Sequence, residues 1–350
     1  MRQSLQHELK EAMQSHEEIP FREWVLQHCG EMVLLGFQIA HTAAVEACLD
    51  DKPSATLRLR ERKQEVHGLI GDLGLLARTR RTENAVVSSL IALLIHRKDQ
   101  LGQLIEGNAQ SADCFEWQIC MQYRVDGDQT ATVQMLDFHT RYGNEFLGNS
   151  VRLALTPLTD RTYLVCTLAM GLGAGASLSG PAGTGKTETC TDLAKALGVP
   201  CVVLNCSDGI DYIANAKFLK GLASCGSWAI FDELNRVNLE VVAVLSQQIA
   251  TVFDAMRQCK ASSSEFEFDF EGTRIRMRPS CWIAFAFNPD YRGRKRLPER
   301  LSAQMRPIAM APPDFSLVFK VDLFRSGFLE ADTLAPRLVQ CVEKCKSELS

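Results

Sequence analysis

What the sequence lacks narrows its reading first. Thirteen cysteines contain no C-x-x-C pair, so neither a redox dithiol nor a zinc ribbon is written in the chain, and their scatter supports no disulfide framework. Cys341 and Cys345 would share a helix face at i and i+4, yet no second pair of ligands stands near them, and they read as reduced thiols. All seven histidines fall at or before His139, which leaves the rest of the chain without a histidine base and excludes a Ser-His or Cys-His hydrolase there. No apolar run reaches the roughly 18 residues of a membrane span, and the opening Met1-Arg2-Gln3-Ser4 is too polar for a secretory leader, so no membrane partner and a cytosolic compartment are expected. A basic excess is also missing. The formal net charge of −4 gives no support to nucleic-acid binding.

What is present is a chain of 350 residues, 46% hydrophobic and 23% charged, with room for two domains and a packed core. Gly180-Pro181-Ala182-Gly183-Thr184-Gly185-Lys186-Thr187 spells G-x-x-x-x-G-K-[ST] in full. The chemistry explains the spacing: glycines let the backbone turn its N–H groups onto a phosphate, a lysine adds a point charge, and a hydroxyl holds Mg²⁺. The strand-like Ala176-Ser177-Leu178-Ser179 precedes the loop, a helix from Glu188 to Leu197 comes after it, and Gly198 stops that helix, which is the context such a loop needs. A glycine-rich turn before a helix is the bland alternative.

Downstream, Cys201 to Cys206 reads as a buried parallel strand, Ser207-Asp208 as a cap, and Ile213 to Ala223 as a helix. Ser227 to Phe231 is a second buried strand that ends in Asp232-Glu233. Asp232 is placed to hold Mg²⁺ and Glu233 to activate water, or the two acids simply cap the helix after the strand. After a helix from Leu239 to Met256 and a polar stretch from Gln258 to Ser264, residues Glu265 to Phe270 alternate strictly, Glu271-Gly272 turns, and Thr273 to Arg278 alternates back. The hairpin has one apolar face carrying Phe266, Phe268, Phe270, Ile275 and Met277, expected to pack against the N-terminal helices or another domain. Ser280 to Phe287 is the third buried strand. Asn288-Pro289 ends it, with Asn288 either a hydrogen-bond donor to a γ-phosphate or attacking water, or a plain turn residue. Leu297 to Met305 reads as a helix ended by Arg306-Pro307, where Arg306 would be exposed as an arginine finger for a neighbouring subunit.

The chain up to about Asn108 reads as helical. Phe21 to Leu26 continues into Met32 to Ala40, a turn lies at Asp51 to Ser54, and further helices run from about Ala55 to Leu76 and from near Glu83 to Ile105. Arg58, Arg60, Arg62, Lys63, Arg78, Arg80 and Arg81 allow an anionic partner, with a solvated helix face the preferred reading. Phe115 to Val125, the turn at Asp126-Gly127-Asp128 and Thr130 to Leu136 read as a β-hairpin. Thr156 to Arg161 precedes a helix from Thr162 to about Leu172; it either borders an adenine or merely caps that helix.

Taken together, these strings resemble the first AAA+ ATPase module of a dynein heavy chain with the C-terminal part of the linker before it. The likeness rests on Phe115-Glu116-Trp117, Tyr142 to Asn149, Leu155 to Arg161, Gly180 to Thr189, Asn205 to Tyr212, Phe231 to Arg236 and Phe287-Asn288-Pro289. It implies an α/β AAA+ fold, a parallel sheet flanked by helices. Residues 1–113 would be linker, 114–140 a hairpin junction, 141–313 the large subdomain with an insert at 265–278, and 314–350 an incomplete helical lid. It further implies ATP and Mg²⁺ as cofactors. Gly180 to Thr187, Glu188, Pro157 and Leu158 would bind ATP, Thr187 and Asp232 Mg²⁺. Lys186, Asp232, Glu233 and Asn288 would act in catalysis and Arg306 in trans. Implied partners are the other AAA+ modules, a microtubule through a stalk outside this chain, and intermediate and light intermediate chains; the implied setting is the cytoskeleton, cytoplasmic or ciliary. Leu234 departs from the family's usual Phe, and Asp290, Arg292 and Arg296 from its pattern after the sensor. Without a neighbour's finger the chain is expected to bind ATP and turn it over very slowly. The alternative is a stand-alone dynein-derived nucleotide-binding protein that moves nothing; a kinase-like phosphotransferase fits the paired acids less well.

Overall fold

The computed structural model describes residues 1–79, 84–148, 151–206, 212–237, 239–262, 266–288 and 298–349. Arg80, Arg81, Asn149, the cap at Ser207-Asp208, Glu265, Pro289, Asp290, Arg292, Arg296 and Leu297 lie outside the described residues. The rest forms two compact units, Met1–Asp160 with Pro313–Ser350, and Arg161–Pro312.

The first unit opens with α1 (Arg2–Ser15), α2 (Phe21–Gln27), α3 (Gly30–Asp50), α4 (Ala55–Thr79) and α5 (Asn84–Glu106). The expected single helix through Phe21 to Ala40 is broken at His28, which is extended, and Cys29, which is also non-helical. Glu8 of α1 supplies the reason. Its Oε1 accepts the Cys29 N–H at 3.1 Å and lies 3.1 Å from His28 Nδ1, a tertiary bond that outcompetes helix continuation. Trp24, fully buried, donates its indole N–H to the Ala12 carbonyl at 2.8 Å and fixes α2 on α1. α3 corrects the expectation that no stretch matches a membrane span: by length and composition it is apolar enough, with mean hydropathy 1.5 over its window. Its Gln38, His41 and Thr42 interrupt every continuous apolar run while Leu, Val and Ile keep the average high, and 61% of that window is buried inside the fold. α4 packs chiefly on α5, and its Leu59, Val66, Ile70 and Leu73, spaced on one helical face, are buried.

The expected two-stranded junction is instead a helical turn followed by a three-stranded antiparallel meander: α6 (Phe115–Gln118), β1 (Gln122–Val125), β2 (Ala131–Met135) and β3 (Phe138–Arg141). The Cys114 carbonyl accepts the N–H groups of both Trp117 and Gln118, and Trp117 is buried by that turn. A short aromatic run does not separate turn from strand by periodicity alone. α7 (Pro157–Gly171) starts five residues earlier than expected. Proline suits the first helical position, and Thr156 and Thr159 exchange side-chain and backbone hydrogen bonds at 3.3 Å, a reciprocal cap.

The second unit is an α/β fold with a five-stranded, wholly parallel sheet. In chain order it contains β4 (Gly175–Ser179), α8 (Lys186–Ala196), β5 (Cys201–Asn205), α9 (Tyr212–Cys225), β6 (Trp228–Asp232), α10 (Leu239–Ser262), β7 (Phe266–Phe270), β8 (Thr273–Met277), β9 (Trp282–Phe287), α11 (Glu299–Ser302) and β10 (Met305–Ala309). The sheet order is β10-β4-β9-β6-β5. β9, flanked on both sides, is buried along its whole length, as a continuous apolar run requires. β5 is not the buried strand expected. It is the sheet's edge, with Val202 42% and Val203 37% exposed, because an apolar run carries no record of its rank in the sheet.

Further differences cluster around the hairpin. The polar stretch after Met256 remains helical to Ser262 as the end of α10. β7 and β8 pair in the expected register, Phe266 opposite Met277 and Phe268 opposite Ile275, about a turn with Glu271 at φ 47° and Gly272 at φ 67°. The hairpin packs within its own unit on α9 and α10: the Arg278 N–H donates to Ala223 O at 3.0 Å, and Phe270 and Met277 are buried. After Pro312 the chain returns to the first unit as α12 (Phe315–Arg325), capped by Asp314 onto the Ser316 N–H at 2.9 Å, and α13 (Ala331–Leu349). Arg325 Nε donates to the Ser88 carbonyl at 3.2 Å, which seats α12 on α5.

Candidate functional site

Three strand ends meet on one edge of the parallel sheet. β4 ends at Ser179, β6 at Asp232 and β9, between them, at Phe287; Ser179 pairs with Phe287, and Asp232 with Ala286. Backbone bonds tie the residue just past β4 and the residue just past β6 to the central β9. The Gly180 N–H donates to Phe287 O at 3.2 Å and the Glu233 N–H to Ala286 O at 2.9 Å. The glycine loop, both acids and Asn288 therefore share the carboxyl edge, where open parallel sheets receive ligands.

The loop's glycines are there for two reasons. A Cβ on Gly180 would lie 2.3 Å from the Met310 carbonyl oxygen, so backbone packs on backbone with no room for a side chain. Gly185, with φ 76°, is left-handed and enters α8 directly. Pro181 and Ala182 are exposed on the loop, as is Gly183, also at φ 76°. α8 is anchored below by a buried bond that sequence reading did not anticipate: Tyr163 Oη donates to Asp192 Oδ2 at 2.6 Å. Glu188 is exposed in the first turn of α8, where an acid suits the helix's positive end.

Lys186 folds back into its own loop. Its Nζ donates to the carbonyls of Gly180 at 2.9 Å and Pro181 at 2.7 Å, and reaches Thr184 Oγ1 at 3.3 Å. Next to it, Thr187 Oγ1 donates to Asp232 Oδ2 at 3.3 Å. Burial pushes the Asp232 carboxyl above its ordinary range, the Glu233 charge adds to this, and the Thr187 hydroxyl and Lys186 ammonium work against it. Crowded with another acid, such a carboxylate gains from a cation, and the donor set of one hydroxyl and one carboxylate consists of hard oxygens that suit Mg²⁺. Glu233 sits at φ 57°, an uncommon conformation for this residue type. Its Oε2 is 2.6 Å from Arg236 Nε, three residues on. That partner was also missed, although the i, i+3 spacing on the sequence could have suggested it. Asn288 is buried at the same edge.

Arg306 does not end a helix as expected. α11 stops at Ser302, and Arg306 is the second residue of β10, exposed and paired opposite Ala176 near the start of β4. A proline-flanked arginine next to Ile308 and Met310 alternates well enough to join a sheet edge, where Pro307 forgoes no central ladder bond. It lies at the end of the sheet away from the loop. Pro157, exposed, and Leu158, half-buried, fall in the first unit, in the opening turn of α7.

Residues 142–350 match the family described as the hydrolytic ATP binding site of the dynein motor region. Dynein axonemal heavy chain 1 of Homo sapiens is 39% identical over 352 residues, covering 100% of this chain and 8% of that protein. Dynein axonemal heavy chain 12 of Mus musculus is 38% identical, covering 94% of this chain and 10% of its own length. The Dynein-1-beta heavy chain of the flagellar inner arm I1 complex of Chlamydomonas reinhardtii is 37% identical, covering 94% and 7%. The chain thus spans about a tenth or less of these relatives.

Proposed function

The chain belongs to the dynein motor-region family with its hydrolytic ATP-binding site, and we propose that its Arg161–Pro312 unit is the AAA+ ATPase that drives a dynein heavy chain, a minus-end-directed microtubule motor. One observation carries the reading: the loop from Gly180 to Thr187, the Asp232-Glu233 pair and Asn288 lie together on the carboxyl edge of one parallel sheet. In this reading the loop N–H groups receive the phosphates of ATP, and Lys186 exchanges its loop carbonyls for β- and γ-phosphate oxygens. Thr187 and Asp232 would hold Mg²⁺, which supplies neutralisation of phosphate charge. Glu233, released from Arg236, takes a proton from the water that attacks the γ-phosphorus as its bond to the β–γ bridging oxygen breaks and ADP leaves, and Asn288 orients that water or the γ-phosphate by a neutral hydrogen bond. Pro157, Leu158 and Glu188 would border the nucleotide. Arg306 would serve the site of an adjoining module.

The same reading assigns residues 1–113 to the linker's C-terminal part, 114–140 to its junction, 141–313 to the large subdomain and 314–350 to the start of a helical lid. Other AAA+ modules, a microtubule-binding stalk and intermediate and light intermediate chains would complete the motor. The axonemal and flagellar relatives favour a ciliary cytoskeletal setting. Nucleotide titration combined with single-turnover phosphate release tests the proposal. The chain should bind ATP more tightly with Mg²⁺ than with EDTA and release phosphate very slowly, and Glu233→Gln should slow that release by about a further hundredfold or more. Release that continued undiminished in Glu233→Gln would remove Glu233 from its role.

A further inference from the structure

Positive charge is left over in the first unit. On α4, Arg60, Lys63, Gln64 and His67 share one face by spacing; with Lys98 and Ile105 of α5 they line a groove of about 430 Å³. That volume falls among small-ligand pockets, which run from about 300 to 1,000 Å³. Neighbouring arginines on α4 are neutralised, Arg58 by Asp51 at 3.0 Å and Arg62 by Glu65 at 2.9 Å. Among the described residues no ion pair or hydrogen bond joins Arg60, Lys63 or Lys98 to any acid. Asp332, one of the acids close to Lys98, is engaged by Lys320 at 2.5 Å. Burial holds the Lys98 ammonium below its ordinary value, Lys320 and Lys63 add to that, and Asp99 and Asp332 oppose it.

A solvated helix face accounts for Arg60 and His67, which are exposed, but not for the two half-buried lysines. Lys63 reaches in because α5 carries glycine opposite it: a Cβ on Gly102 would be 2.9 Å from Lys63 Nζ. Like charges gathered in a concavity with low-dielectric walls focus a positive field, and nothing within the groove discharges it. Ile105 adds an apolar patch to the lining, and the volume is that of a small molecule. We propose that this groove binds a small polyanion carrying two or more phosphate groups, at a site independent of the glycine loop.

Calorimetric titration of tripolyphosphate into the 350-residue chain carrying Lys186→Ala, which silences the loop, tests this. The expected result is saturable one-to-one binding that weakens with added salt and falls roughly tenfold or more in Lys63→Gln/Lys98→Gln. Arg60→Gln, an exposed change that spares the fold, should weaken it several-fold. No heat up to about millimolar ligand, or an affinity that both variants leave intact, overturns the proposal. A hexaglutamate peptide binding more tightly than tripolyphosphate would overturn it too, and would give the groove to an acidic segment.

Discussion

Two parts of this chain draw lysine out of water and treat it in opposite ways. The glycine loop surrounds the Lys186 ammonium with three oxygens of its own backbone and side chains. The α4–α5 groove holds Lys63 and Lys98 half-buried and, among the described residues, bonded to no acid. The difference is one of readiness. Because the loop satisfies its own cation, a ligand must replace hydrogen bonds already made. A groove with unpaired cations leaves an electrostatic penalty standing, which an arriving anion removes at once.

Breaking the loop gives the largest effect. Lys186→Ala removes charge-assisted bonds worth about 1.5–3 kcal/mol each, so ATP affinity should fall at least about a hundredfold in a nucleotide titration. Lys63→Gln/Lys98→Gln should leave the ATP affinity of the loop site where it was. Next, Glu233→Gln should separate chemistry from binding: turnover falls by about 10²–10⁴ while nucleotide affinity is retained, read by phosphate release against titration. The groove has no residue whose change would do the same.

One substitution made at two glycines sharpens the contrast further. Gly180→Ala drives a methyl into the Met310 carbonyl, backbone that cannot step aside, and should cost about 1–3 kcal/mol in denaturant unfolding. Gly102→Ala meets only the movable end of Lys63 and sits inside a helix, where alanine is favoured by about 0.5–1 kcal/mol. Stability there should hold or rise while the affinity for tripolyphosphate drops. The smallest effect is a pH slope. Because the Lys98 ammonium titrates below its unfolded value of about 10.5, the unfolded chain binds more protons between the two values. Stability therefore rises with pH across that window. Thermal scans of the native chain and Lys98→Met should show the rise shrinking in the variant.

The elements legible in the sequence are those whose pattern is local. A strand, a glycine loop and a helix N-terminus are written in consecutive residues from Ala176 to Leu197, and the alternation of Phe266 to Met277 fixes both strands and their turn. Misread elements depend on partners far along the chain. Glu8 breaks the helix at Cys29, α9 and α10 cover the hairpin, and the place of β5 at the sheet edge is set by topology and not by its apolar run. In the candidate site the acids and Lys186 stood out by type and spacing. Arg236 offered only its i, i+3 spacing from Glu233, and Tyr163 and the Met310 carbonyl offered nothing, because a buried phenol and a close backbone approach leave no motif.

β10 has a mechanical consequence. One end carries Arg306; past the other, the Met310 N–H donates to Ser179 O at 2.7 Å and the Met310 carbonyl presses on Gly180. The strand is thus a short rod with no joint between the phosphate loop and the arginine. Clamping the loop on a triphosphate should load that rod along its axis and slow amide exchange at Arg306, at the far end of the sheet from the bound phosphates.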